Sequence, residues 1–240
     1  MKVIIIAGGL GTRIAEETED KPKPMVLIKD KPILWHLMNI FSVQGIKDFI
    51  ISTGYKSEVI EDWVYNNRIC DINNDILNIS TLNTGLSTHT GGRISEVMKS
   101  MPNERVIATY GDGLANVSIK NLLDFHNSHG KLATVTAVRP PARFGYLKIE
   151  NHKVTHFGEK NQSDEGWING GFFVLEPEVS GYVEFIEEPF ETGALVRLTN
   201  EGQLMSYQHS EFWQPMDTLR EKRQLEEMAN EKTPPWLKFI

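Results

Sequence analysis

Long apolar runs are missing from this chain. No stretch approaches the ~20 residues a membrane-spanning helix needs, although 40% of the residues are hydrophobic. Cysteine is almost missing too: the single Cys70 has no internal disulfide partner, which fits a reducing compartment. Positive charge is in deficit, with 25 Lys and Arg against 32 Asp and Glu and a formal net charge of −7. No basic stripe offers a nucleic-acid backbone a surface to hold. The histidines show no metal-ligand spacing, and no Ser-His-Asp or Cys-His arrangement suggests a covalent intermediate. Repeats, low-complexity tracts and linkers are also lacking. Together these absences argue against a membrane span, a disulfide scaffold and a nucleic-acid binder. Because Met1-Lys2 leads straight into a strand-like run rather than a signal peptide, a cytoplasmic location is expected.

What is present suits an α/β enzyme. A chain of 240 residues can bury a sizeable core in one continuous domain. Strand-like segments at 3–6, 48–53, 76–82 and 105–110 alternate with helix-like ones at 33–41, 56–65, 94–101 and 119–129. Ser118 is the expected N-cap of the last of these, and Gly130 its stop. This alternation predicts a mostly parallel, Rossmann-like central sheet with helices on both faces. Further on, a strand at 133–138, a small antiparallel hairpin at 146–149 and 153–157, and strands at 171–175 and 203–207 are expected. Helices are expected at 191–201 and 217–231.

The first thirty residues carry most of the chemistry. The β-branched run Val3-Ile4-Ile5-Ile6 enters Ala7-Gly8-Gly9-Leu10-Gly11-Thr12-Arg13, and Lys21-Pro22-Lys23-Pro24-Met25 follows. A buried strand ending in a glycine-rich turn exposes backbone N–H groups at its carboxyl end. Glycines let that backbone approach a bulky ligand. Thr12 adds a hydroxyl, Arg13 a bidentate cation, and prolines stiffen the loop around a second cation, Lys23. The arrangement predicts a nucleoside triphosphate site. It is not a P-loop, and Ile14 stands where a dinucleotide fingerprint needs its third glycine.

The coupling of Gly-x-Gly-Thr-Arg to Lys-Pro-Lys-Pro-Met resembles the sugar-1-phosphate nucleotidyltransferases. With Glu16-Glu17-Thr18 and Lys31-Pro32-Ile33-Leu34-Trp35-His36, the chain looks most like their glucose-1-phosphate cytidylyltransferase branch, over nearly its whole length. The resemblance implies a fold of the nucleotide-diphospho-sugar transferase type, with residues 1–113 as a nucleotide-binding half and 114–209 as a sugar-phosphate half. Residues 210–240 then hold a metal-ligand loop and a terminal helix. It also implies Mg²⁺, CTP and a sugar 1-phosphate, with dTTP, UTP or GTP as alternative nucleotides. A non-catalytic sugar-nucleotide sensor is the third alternative.

Residue by residue, Asp112 in Tyr110-Gly111-Asp112-Gly113 ends a core strand, where Mg²⁺ is readily held between carboxylate and phosphate; a plain turn aspartate is the alternative. Asp217 precedes Thr218-x-x-Glu221, a capping box, so it is either a helix-stabilising charge or a metal ligand. The resemblance favours the metal, held by Asp112 and Asp217 together. Glycines ahead of a helix in Thr90-Gly91-Gly92-Arg93 are expected to present free N–H groups to the nucleotide, with Arg93 leaning over the triphosphate. His89 is expected to be a loop residue without a role. Gly145, Glu159, Lys160, Asn169 and Gly170 are the resemblance's sugar-phosphate residues, Lys160 meeting the phosphate and Glu159 the sugar hydroxyls. Arg13, Lys23, Asp112, Lys160 and Asp217 form the expected catalytic set.

Three departures from the family pattern stand out. Asn161 replaces a proline, Gly193-Ala194-Leu195 replaces Glu-Pro-Leu, and residues 66–84 are short. The last predicts a homo-oligomer smaller than the family's hexamer, or one built through another surface.

Overall fold

The computed structural model describes residues 1–140, 146–150, 152–158 and 166–239. The first half runs β1 (Lys2–Ile6), α1 (Ala15–Thr18), β2 (Leu27–Ile28), β3 (Lys31–Pro32), α2 (Ile33–Ser42), β4 (Asp48–Thr53), α3 (Ser57–Tyr65), β5 (Asn78–Asn83), α4 (Thr90–Lys99), β6 (Val106–Tyr110) and β7 (Gly113–Ala115). The second runs α5 (Ile119–His129), β8 (Ala133–Val138), β9 (Tyr146–Glu150), β10 (Lys153–Gly158), β11 (Ile168–Asn169) and β12 (Phe173–Leu175). It continues through α6 (Ala194–Asn200), β13 (Leu204–His209), β14 (Trp213–Pro215) and α7 (Leu219–Ala229).

An eight-stranded sheet follows the order β11-β8-β12-β6-β1-β4-β5, with β13 also paired to β8. The β6-β1-β4-β5 core is parallel, as is β13 on β8. β12 enters antiparallel between β6 and β8, and so joins the two halves in one sheet. Side chains alternate across a strand, so the run in β1 feeds two cores. Val3 and Ile5 pack with α2, α3 and α5, while Ile4 and Ile6 pack with α4 and α6. Burial on both faces is why this strand is β-branched throughout.

The predicted elements are present, with informative shifts at their ends. The Ser118 hydroxyl accepts from Asn121 N–H, and Gly130 closes α5 at φ 61°. β9 and β10 form the expected antiparallel hairpin. The start of α4 is different: it begins at Thr90 and takes the glycine pair inside its first turn. The cause is a strap, residues 184–193, lying across that turn. His89 N–H donates to Ile186 O (2.9 Å) and Gly91 N–H to Glu188 O (3.1 Å). A methyl group at Gly92 would sit 2.2 Å from Ile186 O, so glycine is needed to admit the strap. Gly91 and Gly92 therefore serve packing, and the Gly91 N–H is not free for a ligand. α6 likewise starts at Ala194, because Gly193 is its N-cap and the buried Glu188 carboxylate, paired with Arg197, fills the space of a side chain at 193. The departure at Gly193-Ala194-Leu195 thus has a steric origin.

Gly92→Ala is expected to cost about 1–3 kcal/mol through overpacking against the strap. Gly9→Ala, with nothing within 4 Å of the added carbon, should change stability by no more than about 0.5 kcal/mol. Thermal unfolding of the two variants side by side tests the difference.

Candidate active site

A cleft of about 550 Å³ opens at the carboxyl ends of β1 and β6. Residues 7–13, Lys23, Thr90, Arg93, Tyr110, Gly111 and Asp112 line it, so the expected nucleotide residues converge there apart from Gly91. Arg93 does not lean over the cleft. It is 3% exposed and lies beneath the glycine loop. Its guanidinium donates to Thr53 O (2.8 Å), Thr84 Oγ1 (2.6 Å) and Gly8 O (3.0 Å). It thereby fastens the chain just beyond β1, β4 and β5 from below. Burial lowers its pKa, with Glu96 acting in the opposite direction. Gly8 and Gly54 are glycines because a methyl group at either would lie within 3 Å of that guanidinium.

The two aspartates are brought together by a pairing too short to see in the sequence. β14 runs antiparallel to β7, with Pro215 opposite Gly113, and Met216 N–H donates to Asp112 O (2.8 Å). The capping box is also formed: Thr218 Oγ1 accepts from Glu221 N–H, while Glu221 Oε2 accepts from Thr218 N–H (2.9 Å) and Asp217 N–H (2.7 Å). Because Thr218 caps the helix, the Asp217 carboxylate is left to meet Lys23 and Arg13, two residues that line the cleft. Lys23 Nζ donates to Asp112 Oδ2 and Asp217 Oδ1, both at 2.6 Å. Arg13, largely exposed, donates to Asp217 Oδ2 at 2.6 Å. Burial alone would depress the Lys23 pKa, but Asp112 and Asp217 outweigh it and hold the ammonium above the ordinary lysine range.

In the half expected to take the sugar phosphate, Asn169 stands on β11 beside β8, and its Nδ2 donates to the Tyr110 phenol at 3.0 Å. Gly170 N–H donates to Thr136 O, and Val138 packs where its side chain would be. Gly145, Glu159, Lys160 and Asn161 lie outside the described residues. Several cleft residues carried no motif: Leu86, Ser87, Thr88, His89 and Glu191 line it beside the motif residue Pro24. His89, expected to be incidental, is among them. Among the described residues no group of three or more His, Cys, Asp or Glu could hold a metal by itself. Asp112 and Asp217 do present oxygens to one cationic point, so they fit a divalent ion that takes its remaining ligands from phosphate and water.

The nucleotidyl transferase family matches residues 2–218. The chain belongs to that family. It is 45% identical over 254 residues to the glucose-1-phosphate cytidylyltransferase of Salmonella typhi, with 98% of each chain covered. To a probable glucose-1-phosphate cytidylyltransferase of Bacillus subtilis it is 38% identical over 252 residues, 98% of this chain and 99% of that one. Among solved structures, HddC from Yersinia pseudotuberculosis complexed with GMP-PN matches at TM-score 0.70 and 25% identity, covering 95% of this chain and 99% of that one. This nucleotidyl transferase therefore carries, at the mouth of its cleft, two cations and two carboxylates locked in one network.

Asp112→Asn and Asp217→Asn are each expected to lower turnover by about 10²–10³-fold, the cost of removing one preorganised charge. Far-UV circular dichroism should stay unchanged. Steady-state rates across a Mg²⁺ titration check this; normal turnover at ordinary Mg²⁺ would take that residue out of the metal site. Lys23 gives a second test. Its folded pKa lies above the unfolded value, so its stabilisation is complete below the ordinary lysine pKa of about 10.4 and is lost as pH rises through the folded pKa. Lys23→Met should lack that alkaline loss, and the gap in Tm between it and the wild type should narrow above about pH 10.4.

Proposed function

We propose that this protein transfers a cytidylyl group from CTP to glucose 1-phosphate, giving CDP-glucose and pyrophosphate. The observation that carries the reading is the meeting of Arg13, Lys23, Asp112 and Asp217 at the cleft mouth. Full-length identity of 45% to a glucose-1-phosphate cytidylyltransferase supports the choice of substrates. The phosphate of a sugar 1-phosphate is already a nucleophile and needs no strong base. It must be brought in line with the α-phosphorus and the departing pyrophosphate, against the repulsion of two polyanions. Arg13 and Lys23 offset the charge of the triphosphate, and the N–H groups of residues 8–12 face its oxygens. Asp112 and Asp217 would hold a Mg²⁺, which would supply further positive charge against the phosphates. Lys160, Glu159, Gly145, Asn169 and Gly170 receive the sugar phosphate in this reading. The buried Arg93 stiffens the loop rather than touching the nucleotide.

The catalytic reading is preferred to a sugar-nucleotide sensor because the relative matched at 45% identity over 98% of this chain is a glucose-1-phosphate cytidylyltransferase. Pyrophosphate release measured across CTP, dTTP, UTP and GTP against several sugar 1-phosphates tests it. CTP with glucose 1-phosphate is expected to give the highest kcat/KM, and an inactive matrix would leave the sensor reading. We also place the protein in an assembly smaller than a hexamer. Within the short 66–84 stretch, residues 70–76 fold back on themselves ahead of β5, Cys70 bridging Ile76 and the Asp71 carboxylate accepting from Asn73 and Asp75 N–H. Light scattering at several concentrations reads the assembly size.

A further inference from the structure

Glu191 is a cleft carboxylate that the reaction above does not use. It stands on the strap, and no Lys or Arg pairs with it among the described residues. Its partners are hydroxyls: Thr90 Oγ1 donates to Oε2 at 2.7 Å, and the Tyr110 phenol donates to Oε1. Thr90 in turn accepts from Phe190 N–H at 2.8 Å, so the hydroxyl that holds Glu191 is itself held. The Tyr110 oxygen accepts from Asn169 Nδ2 at 3.0 Å, and Asn169 Oδ1 accepts from Gly171 N–H at 2.9 Å.

The direction of these bonds is forced. An ionised carboxylate only accepts, so the phenol must spend its single hydrogen on Glu191. Its oxygen is then free only to accept, and the amide group facing it must be the NH₂ of Asn169. Gly171 N–H, a donor, fixes the amide oxygen on the other side. The amide cannot flip without breaking both contacts, and one N–H of Asn169 is left over.

We propose that Glu191 is a positioning residue which, through the Tyr110 phenol, orients the Asn169 amide so that its remaining N–H donates to a hydroxyl of the sugar phosphate. The inference rests on the sugar-side role given to Asn169 above. It adds that the hydroxyl meeting Asn169 acts as an acceptor there. It also adds that the residue enforcing this sits on the strap over α4, not in the sugar half. Glu191→Gln keeps the size but loosens the constraint. The glutamine NH₂ can donate to the phenol, whose hydrogen is then released toward the Asn169 NH₂, so the amide loses its acceptor there and is held by the Gly171 N–H alone. Tyr110→Phe cuts the same chain at its middle link.

The test uses whichever nucleotide and sugar 1-phosphate the wild type turns over best. Glu191→Gln, Tyr110→Phe and the double variant are expected to raise the sugar-phosphate KM by about tenfold, the worth of one oriented hydrogen bond. In Glu191→Gln the nucleotide KM should stay within about twofold, and the double variant should have a sugar-phosphate KM no worse than that of the poorer single one, since both cut one chain. A readout independent of turnover is the side-chain amide NMR signal of Asn169, assigned by its loss in Asn169→Asp. It should shift in both single variants without ligand. An unmoved amide signal, equal rises in both KM values in Glu191→Gln, or additive effects of the two substitutions would overturn the inference. A wild type inactive with every substrate pair would instead overturn the proposed function. In that case the amide signal alone decides whether Glu191 orients Asn169.

Discussion

A lysine buried to 8% exposure is tolerable only because two carboxylates meet it. Lys23 is 89 residues from Asp112 and 194 from Asp217, so this single ammonium gathers the loop after β1, the end of β6 and the start of α7 at one point. The rest of the architecture serves that meeting. Pro22 and Pro24 hold the lysine's turn, the β7–β14 pair sets the spacing of the two aspartates, and the capping box relieves Asp217 of helix duty. Electrostatic preorganisation of this kind needs a rigid frame, because charges that relax in the ground state have nothing left to offer the transition state.

The frame was legible wherever its cause was local. The β-branched run of β1, the Ser118 cap, the Gly130 stop and the Thr218–Glu221 box each state their conformation within a few residues, and each is present. Legibility failed where the cause was distant. Nothing near Gly91-Gly92 says that a strap a hundred residues later crosses them, so the pair looked like a ligand-facing turn. Nothing near Arg93 says that three carbonyl and hydroxyl oxygens at or just beyond the ends of β1, β4 and β5 surround it. Strands of two or three residues, such as β7, β11 and β14, are too short for any periodicity to register. The candidate site divides the same way. Arg13, Lys23 and Asp112 announce themselves by motif, whereas Leu86, His89 and Glu191 reach the cleft through tertiary packing alone.

The antiparallel insertion of β12 explains how the two halves of the chain share one sheet. A fully parallel continuation would need a crossover on each side. Reversing one strand lets β8, β11 and β13 extend the sheet beside β6, so Tyr110 at the end of β6 faces Asn169 on β11 across the join. The seam between the halves is therefore continuous backbone rather than a hinge.

Arg93 and the glycines it touches carry a consequence for descent. A lineage that retains the arginine is barred from any side chain at Gly8 or Gly54, because the guanidinium already fills both spaces. Losing it opens a hole beneath the loop that a methyl group at Gly8 could fill, whereas at Gly54 the Gly85 carbonyl oxygen, 2.8 Å from an added carbon, bars one either way. Gly8 is thus released by a change at a position 85 residues away, and Gly54 is not.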